Sequence, residues 1–341
     1  MKTKNLSLLL ATLLGASLTA CNSGAGSPTG TSSNQINNAE SATTQQVNVG
    51  AAGNNIGFVG TDKGELEYYR NDKFIKILHK FEDKVTKVFI PDNRRGGVTL
   101  TFYVATEGDH LFGGEVYLNR CVLDVGMIRA TCNRIDTYYD TSEDTNLSSS
   151  MFFDEQGNGY FMLDPTVGNH TLPTDDNAKY SRLGKYVNNT PVWTKYIKEV
   201  DLNDYFALRG PQILEDDNGV IKITHGSEFS SGVASVDTNS NDLKASPVID
   251  DTVNLFGIIS LYKDYNGFSI YGGNLYRVIN GYRVGASLHE FEDSVEGIST
   301  TYFSIYVVTT GKELKKCNYD GNCTTIDKFT NTPKAVAFQT F

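Results

Sequence analysis

Short apolar and aromatic segments, separated by Gly, Asn and Asp turns, follow one another along most of the chain. Within them apolar and polar positions alternate with a period of two, and β-branched and aromatic residues are frequent, which is typical of β-strands. Clear examples are residues 102–105, 268–271 and 303–308. Because no segment has the period and length of a long amphipathic helix, the pattern predicts an all-β fold.

Several of these segments repeat. Residues 78–85 and 288–295 share the motif Leu-His-x-Phe-Glu-Asp-x-Val, and residues 132–136 and 323–327 share Cys-x-x-Ile-Asp. A strand, a glycine turn and a second strand recur six times, near these glycines: Gly64, Gly113, Gly184, Gly232, Gly272 and Gly311. The mean period of about 48 residues is that of a propeller blade with four short strands.

The repeats predict a six-bladed β-propeller over residues 56–341. Two β-sandwiches are the alternative, but they do not explain six similar units. Residues 335–338 have the pattern of a first strand with nothing after it, and residues 56–59 that of a second strand without a first. Pairing these two segments would complete one blade and close the ring, which hides both sheet edges.

The N-terminal residues have the pattern of an export signal. Lys2 and Lys4 precede an apolar segment, residues 6–18, that is too short to span a bilayer, and Leu18-Thr19-Ala20-Cys21 follows. An ordinary signal peptide with a coincidental cysteine is the alternative. Residues 22–55 are mostly Ser, Gly, Thr, Asn, Gln and Ala, with one charged residue, and predict a flexible linker.

The ending of this segment resembles the lipobox of bacterial prolipoproteins, over residues 1–21. The resemblance implies that residues 1–20 are removed and that the thiol of Cys21 carries lipid, so that residues 21–55 form a lipid-anchored linker. The membrane is then one expected partner. Because Asn22 rather than Asp follows Cys21, the resemblance further implies a place in the bacterial cell envelope, at the outer membrane.

Four cysteines remain besides Cys21, which in an exported chain predicts two disulfides. The repeated motif favours local pairing, Cys121 with Cys132 and Cys317 with Cys323, over the two other pairings. Zinc is the alternative, but spacings of 11 and 6 residues differ from the Cys-x₂-Cys of structural zinc sites. We expect neither a metal nor a cofactor.

Composition and charge limit the classes of partner. A hydrophobic content of 39% excludes wholesale disorder. The net charge is −10, and removal of Lys2 and Lys4 makes it more negative, which disfavours a nucleic acid or an anionic membrane held by charge alone. A protein or glycan partner is therefore expected, and the body itself is expected to be monomeric.

Candidate ligand residues lie in the turns between second and third strands and in an insertion of the third blade: Glu107, Asp109, His110, His170, Thr224 and His225. Their alternative role is that of solvated loop residues. His79 and His289 occupy equivalent repeat positions, which favours a structural role. The Asp-rich turn at residues 154–158 lacks the twelfth-position glutamate of a calcium loop, so plain turn chemistry is favoured there.

These patterns favour an envelope protein that binds or scaffolds a partner through a propeller face. The alternative is a hydrolase or lyase that acts on a carbohydrate or peptidoglycan in the central pocket. A component of an envelope assembly machine is a third possibility. Convergence of several carboxylates or histidines in the centre would favour the enzyme.

Overall fold

The computed structural model describes twelve segments: residues 55–92, 98–108, 115–139, 148–166, 180–198, 212–215, 221–226, 231–236, 244–245, 248–250, 258–261 and 266–341. All of them lie in the second of the two units of the chain, Thr44–Phe341. In these segments no helix has both the length and the apolar character needed to cross a membrane.

The described residues form strands joined mostly by short turns. The strands, in chain order, are β1 (Asn55–Thr61), β2 (Glu65–Arg70), β3 (Lys73–Lys80), β4 (Lys84–Phe89), β5 (Thr99–Glu107), β6 (Glu115–Asp124), β7 (Arg129–Tyr139), β8 (Ser148–Phe153), β9 (Gly159–Thr166), β10 (Tyr180–Val187), β11 (Thr190–Lys198), β12 (Gln212–Glu215), β13 (Ile221–Gly226), β14 (Ser231–Val236), β15 (Lys244–Ala245), β16 (Val248–Asp250), β17 (Ile258–Leu261), β18 (Gly267–Tyr271), β19 (Asn274–Ile279), β20 (Tyr282–Glu290), β21 (Val295–Thr300), β22 (Ile305–Thr309), β23 (Glu313–Cys317), β24 (Cys323–Lys328) and β25 (Pro333–Thr340).

Within the described segments these strands form six sheets. From the first strand of each sheet to the last, they are sheet 1 (β25-β1-β2-β3), sheet 2 (β4-β5-β6-β7), sheet 3 (β8-β9-β10-β11-β15), sheet 4 (β12-β13-β14-β16), sheet 5 (β17-β18-β19-β20) and sheet 6 (β21-β22-β23-β24).

The prediction of six four-stranded units is correct for five of these sheets and wrong for sheet 3, which has five strands. Its additional strand, β15, comes from the segment between β14 and β16 and pairs in parallel with β11, through Tyr196 with Lys244 and Ile197 with Ala245. The pairing covers part of an edge that would otherwise present unpaired backbone groups.

The sheets follow one another around a central axis. The first strands contact each other in the order β25, β4, β8, β12, β17 and β21, and the contact between β21 and β25 returns to sheet 1. Sheets arranged radially with their first strands innermost form a β-propeller, so the predicted all-β propeller fold is confirmed.

Sheet 1 joins the two ends of the described chain, as predicted. The C-terminal β25 pairs antiparallel with β1, and Phe338 lies opposite Gly57. A Cβ atom at Gly57 would lie 2.1 Å from the Phe338 ring, so only glycine leaves room for this ring. Ring closure therefore depends on eight residues at the end of the sequence.

The hydrophobic core lies between neighbouring sheets. Separate clusters of buried side chains fill the junctions of sheets 1 and 2, 2 and 3, 3 and 4, 5 and 6, and 6 and 1. Sheets 4 and 5 contact each other through β12 and β17. In the largest cluster, Phe58 of sheet 1 stacks on Phe102 of sheet 2 with ring centroids 4.2 Å apart. Both faces of a strand are consequently apolar, as stacked sheets require.

Two disulfides join the third and fourth strands of sheets 2 and 6. Cys121 pairs with Cys132 and Cys317 with Cys323, and in each pair the cysteines lie directly opposite each other in the antiparallel register. The predicted local pairing is thus confirmed, and both bridges occupy the same place in their sheets.

Antiparallel connectivity sorts the turns onto two faces. Turns between second and third strands, together with the connections between sheets, lie at one end of the strands. Turns between first and second and between third and fourth strands lie at the other end, where Asn55 and Phe341 also lie. We call the latter the terminal face and the former the opposite face.

Candidate functional site

Of the predicted ligand residues, only Glu107 has a described side chain. It ends β5 on the opposite face, is buried, and forms an ion pair with Lys84, the first residue of β4, with Oε1 3.0 Å from Nζ. The two residues are also register partners. Because a lysine already neutralises this carboxylate, its first role is to join the inner two strands of sheet 2.

The other predicted ligand residues lie outside the described side chains. Thr224 and His225 belong to β13, but their side chains lie outside the described ones. Asp109, His110 and His170, like the lipidation candidate Cys21, lie outside the described residues. Ligand binding by this set stays a prediction.

The repeated histidines lie at equivalent places, as predicted. The ring of His79 packs edge-on against the ring of Phe81, with the ring centroids 4.5 Å apart. His289 packs in the same way against Phe291, with the centroids 4.7 Å apart. Burial lowers the pKa of His79, and burial together with the charge of Lys315 lowers that of His289. These histidines are therefore neutral packing residues at neutral pH, which agrees with a structural role.

The Asp-rich turn after β8 is held by hydrogen bonds between its own residues. The Asp154 carboxylate accepts hydrogen bonds from the backbone N–H and the side-chain amide of Asn158, both at 2.8 Å. Gly157 follows with a φ of 84°. Among the residues that the structure places, no three His, Cys, Asp or Glu side chains converge as metal ligands. Turn chemistry explains this motif.

The most concentrated polar chemistry among the described residues lies between sheets 6 and 1, which we call the closure junction. Tyr69 on β2 places its hydroxyl 2.9 Å from Glu67 Oε2 and 2.8 Å from Oδ2 of Asp327 on β24. A phenol has one hydrogen to donate, so it cannot satisfy two carboxylates at once. The arrangement is satisfied when Glu67 is protonated and donates to Tyr69, which in turn donates to Asp327.

The electrostatics of Glu67 agree with this geometry. Burial is the main cause that raises its pKa to about 7, and the nearby charges of Asp327 and Glu65 add to the shift, while the hydrogen bond with Tyr69 opposes it. Burial also raises the pKa of Tyr69. The junction therefore holds one proton below neutral pH and loses it above.

Sheets 2 and 3 form a matching junction. Tyr186 on β10 donates to Oδ2 of Asp136 on β7 at 2.6 Å, and its hydroxyl also bonds the hydroxyl of Tyr138. Asp136 and Asp327 are the aspartates of the repeated Cys-x-x-Ile-Asp motif. A Cβ atom at Gly184 would lie 2.3 Å from the Tyr138 hydroxyl, so this glycine makes room for the phenol.

The closure junction and the junction of sheets 2 and 3 have equivalent residues at equivalent positions. Gly184 precedes Tyr186 by two residues, as Glu67 precedes Tyr69. The Tyr138 hydroxyl therefore bonds Tyr186 in the junction of sheets 2 and 3, as the Glu67 carboxyl bonds Tyr69 in the closure junction. The Tyr138 hydroxyl is a neutral donor. A protonated Glu67 carboxyl is the matching neutral donor in the closure junction.

A second tyrosine contact occurs in both junctions, and we call it a clasp: a tyrosine that stacks on a phenylalanine and donates to a polar side chain. Tyr306 stacks on Phe338, with ring centroids 3.7 Å apart, and donates to Asp72 at 2.7 Å. In the matching junction Tyr103 stacks on Phe153 at 4.0 Å and donates to Asn189 at 2.8 Å. Each tyrosine lies on a second strand and bonds a turn of the next sheet, so these clasps hold neighbouring sheets in register.

The Asp72 clasp is also where the chain enters the body. The side-chain amide of Asn55 donates to Asp72 at 2.6 Å and to the Tyr306 hydroxyl at 2.5 Å, and Lys316 pairs with Asp72 at 2.5 Å. Burial alone would raise the pKa of Asp72, but hydrogen bonds from Lys316, Tyr306 and Asn55 outweigh it and lower the pKa. The first described residue is thereby fixed to sheet 6.

Comparisons with known proteins concern the fold. No family model and no curated protein sequence matches this chain. Similar solved structures include Sqt1 from Saccharomyces cerevisiae, with 9% identity and a TM-score of 0.41 over 81% of this chain and 72% of Sqt1. BamB from Moraxella catarrhalis has 10% identity and a TM-score of 0.37, with coverage of 82% and 86%.

A third similar structure is the β-propeller domain of the Trilobed protease from Pyrococcus furiosus, which has an open velcro topology. Its identity to this chain is 10% and its TM-score is 0.37, with coverage of 79% of this chain and 76% of that domain. At this level of identity the similarity describes the fold alone.

Replacement of Glu67 by Gln is expected to remove a pH dependence of stability. The pKa of Glu67 in the folded protein, about 7, exceeds the ordinary glutamate value of 4.5. Its contribution to the free energy of unfolding is therefore fully present below pH 4.5 and is lost as pH rises through 7. A glutamine amide keeps the donor to Tyr69 and does not ionise. At pH 8.5 the variant should be more stable than the parent by about 1–2 kcal/mol, a value reduced for partial exposure.

Urea midpoints at pH 5.5 and 8.5 test this expectation. Glu82→Gln, at an exposed glutamate in the connection between sheets 1 and 2, is the matched control and should follow the parent at both pH values. If the urea midpoint falls from pH 5.5 to pH 8.5 by the same amount in E67Q as in the parent, Glu67 does not hold the proton.

Proposed function

We propose that this protein is a lipid-anchored binding or scaffolding protein of the cell envelope, which recognises a protein or glycan through its opposite face. One observation carries the proposal: both Asn55 and Phe341 lie on the terminal face. A tether that enters there leaves the turns between second and third strands directed away from the membrane. Those turns and the β5 and β13 strand ends next to them carry the predicted ligand residues.

The anchor is proposed from the lipobox that ends at Cys21. Several acyl chains, each with about 0.8 kcal/mol of membrane affinity per buried CH₂ group, would hold the chain permanently. Two disulfides between neighbouring strands support an oxidising compartment outside the cytosol. Asn22 favours the outer membrane as the location.

We further propose that all six sheets act as blades, with sheet 3 extended by β15. The sheet keeps the order β8-β9-β10-β11 of the other blades, and Phe153 on its first strand packs against Tyr103 of sheet 2 as Phe338 packs against Tyr306. The parallel β15 then adds to the outer edge and does not alter the ring.

Affinity capture of the acylated protein from detergent-solubilised envelopes, followed by mass spectrometry, tests the binding role. Two matched variants distinguish the faces. Each removes three exposed charged side chains. The first, on the opposite face, is Lys63→Ala with Glu82→Ala and Glu292→Ala, and the second, on the terminal face, is Lys73→Ala with Arg129→Ala and Asp320→Ala.

We expect one envelope protein or glycan to be enriched by the parent and by the terminal-face variant, and its recovery to fall at least fivefold with the opposite-face variant. Equal recovery by the two variants would contradict recognition through the opposite face. Release of reducing sugar ends from purified peptidoglycan by the parent would favour the hydrolase or lyase instead.

A further inference from the structure

The terminal face carries large apolar side chains that are exposed to solvent. Tyr302 and Phe303, at the tip of the turn between β21 and β22, are 68% and 75% exposed, and Met127, in the turn between β6 and β7, is 73% exposed. Others on this face in sheets 2 and 5 are Val98, Ile279 and Tyr282. These side chains come from three sheets of the ring, so they form scattered protrusions and not a single groove.

The aromatic tip is held rigidly. The Thr301 backbone N–H donates to the Ser304 carbonyl at 2.8 Å, and the Ser304 N–H donates to Thr301 Oγ1 at 3.2 Å. The Tyr319 hydroxyl donates to the Thr301 carbonyl, and Thr301 and Ser304 are both buried. A turn braced in this way presents Tyr302 and Phe303 to solvent without a loss of order, which is a form of preorganisation.

The chain outside the described body reaches it beside this tip. Asn55 bonds the hydroxyl of Tyr306, and Tyr306 follows Phe303 by three residues. Residues 22–54 separate this point from Cys21. If these residues form the random-coil linker that their composition predicts, their root-mean-square reach is about 30 Å, and a lipid on Cys21 would keep the terminal face close to the bilayer at a high effective concentration.

We propose that the terminal face rests on the bilayer, with the side chains of Tyr302 and Phe303 inserted into the headgroup region. The proposal rests on the lipid anchor proposed above and adds a second, weaker contact that orients the body. A tyrosine ring with its polar hydroxyl favours the membrane interface, and a phenylalanine ring beside it adds apolar area that the headgroup and acyl boundary can bury. Exposed charges on the same face have both signs, as Lys73, Arg129 and Asp320 show, which suits zwitterionic headgroups better than an anionic surface.

A pair of labelled variants tests this orientation. A cysteine at position 302 (Tyr302→Cys) or at position 77 (Ile77→Cys) receives an environment-sensitive fluorophore in the acylated, full-length protein. Ile77 lies on the outer strand β3 and is 44% exposed, so it is an exposed apolar control away from the turns. The protein is reconstituted in phosphatidylcholine–phosphatidylethanolamine vesicles with and without brominated acyl chains.

We expect a blue shift and at least threefold stronger quenching by brominated lipid at position 302 than at position 77. Urea midpoints close to that of the parent show that both labelled proteins are folded. Association with vesicles but equal quenching at both positions would overturn this proposal alone. If the full-length protein does not associate with vesicles, the anchor and this proposal fall together.

Discussion

Removal of residues 332–341 is expected to unfold the body, far beyond the effect usual for ten terminal residues. The deletion removes β25, the innermost strand of sheet 1, and with it seven register pairs to β1. It also removes the buried side chains of Val336 and Phe338, each of which contributes about 1.5–3 kcal/mol by burial. Together with the lost backbone hydrogen bonds, this approaches the whole stability of an ordinary domain, about 5–15 kcal/mol.

Loss of β25 also opens the closure junction. Tyr306 loses its stacking partner Phe338, and the Ser299 hydroxyl loses the Phe338 N–H, which it accepts at 2.9 Å. Urea unfolding of a non-acylated protein, followed by circular dichroism, measures the effect. Removal of residues 24–50, which the composition predicts to be a linker, is the control and should leave the midpoint unchanged.

A single substitution separates the contribution of the Phe338 side chain to stability from that of the whole strand β25. Phe338→Ala keeps the β25 ladder and should lower stability by about 3–5 kcal/mol, less than the deletion. A deletion protein that melts like the parent would mean that sheet 1 is stable without β25 and that the chain is not closed in this way.

Replacement of Cys21 by Ser is expected to abolish membrane attachment completely. The proposed lipobox would place the acylated thiol at Cys21, and a serine could not form the thioether that carries the lipid. The described body holds its four other cysteines in two disulfides, so no free thiol of the described residues can replace it. The precursor should stay unprocessed and take up no palmitate.

Metabolic labelling with palmitate and fractionation of the envelope measure this outcome. Thr19→Ser, which keeps the Leu-x-Ala-Cys pattern, is the control and should be labelled and processed normally. Palmitate incorporation that persists in C21S would disprove the lipobox assignment and, with it, the proposed anchor.

Features with a local or repeated sequence signal could be predicted well. Alternation at residues 56–59 and 335–338 was sufficient to predict that the two ends pair, because an unpaired apolar strand at each end requires a partner. The Cys-x-x-Ile-Asp repeat was sufficient to predict the disulfides, since cysteines in neighbouring strands meet only when the strands pair in register. The repeated Leu-His-x-Phe motif predicted the common setting of His79 and His289.

Contacts between residues that are distant in the sequence have no local signal. Tyr69 and Asp327 are 258 positions apart, and nothing near Tyr69 in the sequence indicates a partner in the last sheet. The strand β15 has two residues, too few for a periodic pattern, so the sequence does not indicate the fifth strand of sheet 3. The turn beside Glu107 predicts an exposed ligand residue, but the side chain is buried and pairs with Lys84 on a different strand.

The closure junction could have been found from its repeated half. The aspartates of the two Cys-x-x-Ile-Asp motifs, Asp136 and Asp327, are conspicuous because they follow apolar residues on strands. Equivalent aspartates on outer strands need equivalent donors in the next sheet, and Tyr69 and Tyr186 supply them. Only the geometry, however, shows that Glu67 takes the place of the Tyr138 hydroxyl.

Photo-crosslinking in intact cells tests most directly whether the two faces have different roles. A photoreactive residue at position 63, in the turn between β1 and β2 on the opposite face, is compared with one at position 73, at the start of β3 on the terminal face. Lys63 and Lys73 are both exposed lysines of sheet 1, so the two variants differ chiefly in the face that they probe. We predict a discrete adduct with an envelope protein or glycan from position 63 only. The same adduct from both positions, or from position 73 alone, would contradict an anchored propeller that presents its opposite face to a partner.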